Sequence, residues 1–115
     1  MKKLELNISE RLFALKHLDD FKGSVSLLGK ILDSVKEFAV LKEDWEKAEK
    51  VETKSGDSIQ WQWNDEKGGL KKVEVDEDVA NYLVASIEKI EKAGGFGLAD
   101  KAVIGLKEKL EVALK

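Results

Sequence analysis

The chain has 115 residues, of which 37% are charged, with 20 bases against 23 acids and a net charge of −3. That length fits one domain, residues 1–115, and a near-neutral balance spread along the chain argues against the basic face of a nucleic-acid binder. The absence of cysteine excludes disulfides, thiolate chemistry and Cys-based zinc sites, and no apolar run approaches the roughly 20 residues of a membrane-spanning helix.

Lys3–Leu6 alternates and suits a short strand. Asn7 with Glu10 has the spacing of a capping box. Ile8, Leu12, Leu15 and Leu18 then form the stripe of a first helix, closed at Lys22-Gly23. A second helix over residues 24–38 carries Val25, Leu28, Ile31, Leu32, Val35 and Phe38 on its apolar face. The short connection predicts a helical hairpin. A short helical piece follows at Lys42–Lys50, with Trp45 inward.

The period then changes from helical to two. Val51–Lys54 alternates, Ser55-Gly56-Asp57 supplies a turn, and Ser58-Ile59-Gln60-Trp61-Gln62-Trp63 alternates strictly. After a second turn at Asn64–Gly69, Lys71–Val75 reads as another strand. The expectation is a three-stranded antiparallel meander. Its buried face carries Val51, Ile59, Trp61, Trp63, Val73 and Val75, and its wet face carries Glu52, Lys54, Gln60, Gln62, Lys72 and Glu74. Asp76 caps a further helix with the stripe Val79, Leu83, Ile87 and Ile90. Gly94-Gly95 ends it, and a last helix begins near Leu98, giving a C-terminal helical hairpin. The predicted class is α+β: helical hairpin, meander, helical hairpin.

No set of residues converges on a reaction. Gly94-Gly95-Phe96-Gly97 precedes a helix, but it follows a helix rather than a strand and lacks the Lys-Ser/Thr pair of a phosphate loop. Glu43-Asp44 and Asp76-Glu77-Asp78 lack the spacing of a Ca²⁺ loop. His17, the one histidine, has no serine or threonine elbow beside it. Catalytic, metal and cofactor sites are therefore expected to be none. The residues singled out for contact with another protein are Gln60 and Gln62, neutral hydrogen-bonding side chains, and Phe96, a plug or a contact between glycines.

Several segments carry a resemblance. Ile8-Ser9-Glu10-Arg11-Leu12 opens the first helix, Gly23 with Leu27 and Leu28 the second, and Glu43-Asp44-Trp45 the short one. Trp63 precedes Asp65-Glu66-Lys67, Val73-Glu74-Val75 leads into a helix, and Leu98 starts the last. That order resembles small proteins of unknown function encoded by bacteriophages and prophages, which often have a proline near the position of Phe21 and an acidic residue or Thr where Leu41 stands. The resemblance implies a small accessory or host-interaction protein.

The expected function is a non-enzymatic, acidic interaction protein that binds a host or phage protein. Neither nucleic acid nor membrane is an expected partner. The alternative is a structural role through a homodimer or larger oligomer, motivated by the off-stripe residues Phe13, Leu27, Val84 and Ile104. Met-Lys-Lys-Leu has no apolar run behind it, so the expected location is the cytoplasm, which the resemblance implies is that of a bacterial host.

Overall fold

A computed structural model describes residues 1–115. In chain order the elements are β1 (Lys2–Leu6), α1 (Ile8–Asp19), α2 (Val25–Phe38), α3 (Lys42–Lys47), β2 (Val51–Ser55), β3 (Ser58–Gln62), α4 (Asp65–Gly68), β4 (Lys71–Val75), α5 (Glu77–Lys92), a 3-10 turn at Leu98–Asp100, and α6 (Ala102–Leu114). The class is α+β, with two separate two-stranded antiparallel sheets.

The first sheet belongs to the body. β1 pairs with β4, so that Leu4 lies opposite Val73 and Lys2 opposite Val75. Leu4, Leu6, Val73 and Val75 are buried on one face. Lys3 lies opposite Glu74 and Glu5 opposite Lys72 on the other face, an arrangement of opposite charges that favours this register. Against the apolar face pack Phe13, Ala14 and Leu18 of α1, Ile31 and Phe38 of α2, Val79, Leu83 and Ile87 of α5, and Val103, Leu106 and Leu110 of α6.

Local signals place these helices. Asn7 accepts the Glu10 amide at 2.8 Å while the Glu10 carboxylate accepts the Asn7 amide at 2.9 Å, a reciprocal cap. Ser24 caps α2 by accepting the Leu27 amide at 3.2 Å, and Asp76 caps α5. The α1–α2 and α5–α6 pairs pack as neighbours.

The expected meander is corrected. β4 takes β1 as its partner, and β2–β3 stands apart as a hairpin. All residues from Val51 to Gln62 are exposed, with Val51, Ile59 and Trp61 each 55% accessible. The reason lies in the turn. Ser55 pairs with Ser58 across the two-residue loop Gly56-Asp57, with Gly56 at φ +62°. That register sets Lys54 opposite Ile59 and Glu52 opposite Trp61. The aromatic face of the hairpin therefore carries charge and is no core face. Val51 falls instead beside Thr53, Gln60 and Gln62. β1, by contrast, offers β4 an apolar partner face, and the sheet forms there.

Candidate binding site: the tryptophan-footed arm

The β2–β3 hairpin is an arm anchored at its foot. Trp63, just beyond β3, is half-buried, and its indole N–H lies 3.0 Å from Asp65 Oδ1 and 3.2 Å from Ser9 Oγ. Ser9 in turn donates its hydroxyl to Asp65 Oδ2 at 2.6 Å and its amide to Asp65 Oδ1 at 3.1 Å. Asp65 thus gathers three donors from α1 and the end of the arm. The Asn64 amide donates to the Ala48 carbonyl at 2.8 Å and closes the base. Gly68 lets α4 approach closely, because a Cβ there would meet Ile8 and Ala48.

Two of the three tryptophans meet at this foot, and the third, Trp61, is joined to them through Lys50. The Trp45 and Trp63 rings are 5.2 Å apart in an edge-to-face arrangement. The Lys50 ammonium sits 3.8 Å from the centre of the Trp61 ring and 4.4 Å from that of Trp45. Backbone geometry sets the position of Lys50. The Glu49 amide donates to the Glu46 carbonyl at 3.2 Å and the Lys50 amide to the Trp45 carbonyl at 3.1 Å. This is the double bond pattern that closes a helix with a left-handed residue. Glu49 takes that left-handed role at φ +53°, where glycine is usual, at a cost on the order of 1–3 kcal/mol.

Of the contact residues expected from sequence, Gln60 and Gln62 lie exposed on β3. They share a face with Val51, Thr53, Ser55 and Ser58, so the whole face is uncharged. Phe96 lies elsewhere. It is half-buried against the body, 6.0 Å from the Phe13 ring, in the role of a plug. The reading of Ile59 and Trp61 as core is corrected by their exposure. Trp61 emerges as a site residue that alternation alone assigned to the interior. Its even-numbered partner across a two-residue loop was the available signal.

A cleft of about 500 Å³ runs beside the foot between α1 and the start of α6, lined among others by Ser9, Glu10, Phe13, Trp63 and Asp100. Glu10 is buried on its wall and accepts the Lys109 ammonium at 2.7 Å. His17 packs on Phe13 at 4.6 Å, and its Nε2 is buried without a partner. Burial, followed by the Lys16 charge, holds its pKa below the ordinary 6.5, although Asp20 and Asp100 pull upward.

The acidic runs serve structure. Asp76 and Asp78 face Lys30 at 3.7 and 2.7 Å. Asp44 accepts the Leu41 amide at 2.8 Å and lies 3.4 Å from the buried guanidinium of Arg11. Partial burial opposes ionisation of Asp44. The Leu41 amide and Arg11 outweigh it and hold the carboxyl below its ordinary 3.8. Arg11 also donates to the Ala39 carbonyl at 3.1 Å.

No helix is long and apolar enough to cross a membrane. No protein-family model matches the chain, and no curated protein or solved structure shows significant similarity to it.

Proposed function

We propose that the protein is a non-enzymatic interaction protein and that the β2–β3 arm is its contact surface. In keeping with the resemblance to phage-encoded proteins, the partner is a protein of a bacterial host or its phage, met in the cytoplasm. The observation that carries this reading is the ordered exposure of Val51, Ile59 and Trp61 on a hairpin with no core behind either face. A two-stranded hairpin is marginal by itself in water, so folding of the body gains little from the arm. Tryptophan is also the residue most enriched among contacts that dominate binding. Trp61 supplies such an anchor on one face of the arm, and the opposite, uncharged face of Gln60 and Gln62 supplies hydrogen bonds without a charge to desolvate.

The test places a photo-crosslinking amino acid at Gln60, at Gln62 or at Lys89 on the exposed side of α5. Adducts to one defined partner from the arm positions, absent from Lys89 and lost with Trp61→Ala, are expected. Adducts from Lys89 alone would contradict the assignment.

A second reading is self-assembly through α2. Val25, Leu28 and Leu32 lie at i, i+3 and i+7 and are all exposed on one face. Of the residues that first suggested assembly, Ile104 is exposed, Phe13 is buried, and Leu27 and Val84 pack against the core. A sedimentation mass above the monomer that Leu28→Lys returns to the monomer would favour this reading.

A further inference from the structure

We propose that Trp45 and Trp61 form a clamp for an alkylammonium ion, occupied in cis by Lys50, which a lysine side chain of the protein partner enters by displacing it. The proposal deepens the reading of the arm as a contact surface and rests on it for the source of the lysine.

The occupant already present shows what the site takes. The Lys50 ammonium lies 3.8 Å from one indole centre and 4.4 Å from the other, within the range in which a cation is held by a ring face. Nothing else holds that ammonium in place. Lys50 makes no ion pair with any carboxylate, whereas Lys30, Lys67, Lys107 and Lys109 all do. The site is also open. Trp61 is 55% accessible, and a cleft of about 350 Å³ beside Trp45 reaches Lys50 from solvent.

Acids and bases around the approach are close to balanced, so an entering ammonium meets no excess of like charge. Glu46 and Glu49 line the cleft, and Glu52 stands directly across the hairpin from Trp61 with Lys54 on the same face. Lys42 lines it as well, and Glu49 shares its charge with Lys67 at 2.9 Å. The left-handed backbone at Glu49 turns the chain immediately before Lys50 and fixes where the clamp is filled. Trp63, edge-to-face with Trp45 and tied to Asp65, adjoins the clamp and fixes one side of it to the body.

A tethered occupant competes at an effective concentration in the millimolar range, and two ring faces at about 2 kcal/mol each give a dissociation constant of about 1 mM, so the wild-type clamp is partly masked and freeing it should tighten binding of an added ammonium by about twofold. The experiment follows the three indole N–H signals by NMR in the wild type and in Lys50→Gln. Tetramethylammonium chloride is titrated against sodium chloride at equal ionic strength. Saturable shifts of the Trp45 and Trp61 signals in Lys50→Gln, about twofold tighter than in the wild type and abolished by adding Trp61→Ala, are expected. The Trp63 signal should stay in place and report that the arm remains anchored.

Shifts no larger than those with sodium would overturn the clamp. A Trp63 signal already displaced in Lys50→Gln would overturn it too, because Lys50 would then be a fixed staple of the arm. A glycine-flanked lysine peptide should saturate the same two signals, and an equal response to its glutamate counterpart would overturn the assignment to lysine. These titrations need no protein partner, so their failure and a failure of the arm crosslinks are read separately.

Discussion

Trp63 donates its indole N–H to Asp65, two residues along the chain, at 3.0 Å, and the same carboxylate accepts both the hydroxyl and the amide of Ser9 on α1. One side chain thereby ties a solvent-exposed hairpin to the body. Hydrogen bonds to a charged acceptor contribute about 1.5–3 kcal/mol. Trp63→Phe keeps one aromatic ring but removes the donor together with the pyrrole half of the indole, so urea unfolding should show a loss of at least about 1–3 kcal/mol. Asp65→Ala, which strands three donors, should cost more than Trp63→Phe. The reverse order would show that Asp65 is not the hub.

The arm and the body should respond differently to truncation. Leu83 is fully buried among the helices and the first sheet, and Leu83→Ala should cost about 2–5 kcal/mol. Ile59 is apolar but exposed, so Ile59→Ala should change stability by no more than about 0.5 kcal/mol. Equal losses in chemical denaturation would mean that the arm packs against the core.

Arg11 and Asp44 form an asymmetric pair, with the guanidinium 1% and the carboxylate 20% accessible at 3.4 Å. Asp44→Ala leaves a buried cation without its counter-charge and should cost about 3–5 kcal/mol. Arg11→Met fills the same space and leaves a carboxylate that water reaches, so its cost should be smaller. Denaturation midpoints of the two variants decide the order.

Acid should weaken the fold through His17. Burial and Lys16 lower the pKa of its ring in the folded state below the 6.5 of an unfolded chain. The unfolded chain therefore takes up the proton first. The contribution to stability is complete above about pH 6.5 and drains away as pH falls through the lowered value. His17→Leu keeps an apolar contact with Phe13 and has no proton to bind. The fall in melting temperature between about pH 7 and pH 5 should be shallower in this variant than in the wild type. Identical slopes would assign the loss to other groups.

The helices and their caps were legible because their signals are local. Asn7 with Glu10 and Asp76 act within a few residues of themselves, and the structure places each at the N-terminus its side chain favours. By contrast, the expected turn at Asn64–Gly69 holds the one-turn α4, the last helix starts at Ala102 after a 3-10 turn, and Val25, Leu28 and Leu32 of the expected α2 stripe lie exposed. Strand pairing is not local. The strand Lys71–Val75 was recognisable by alternation, but nothing within it distinguishes the Trp strand from Lys2–Leu6 as a neighbour. Alternation reports that a strand has two unlike faces. Whether the apolar face is covered depends on what the register sets beside it, and here Glu52 and Lys54 lie beside Trp61 and Ile59. The clamp at Lys50 was hidden for a related reason, since Trp45, Lys50 and Trp61 come together only through a left-handed turn at Glu49, a residue that rarely makes one.

The site residues divide along the same line. Gln60 and Gln62 were readable as wet because glutamine is poorly suited to burial. Phe96 lay between two roles in the sequence. Its neighbour Phe13, a distant partner in the chain, decides for packing.

The contrast between two indoles tests the account most directly. Water exchange of the side-chain N–H groups, read by NMR on the unmodified protein, should be fast for Trp61, which is 55% accessible, and slow for Trp63, whose N–H is held between Ser9 and Asp65. Equal protection of the two would place Trp61 in the interior, and the arm with its clamp would no longer exist.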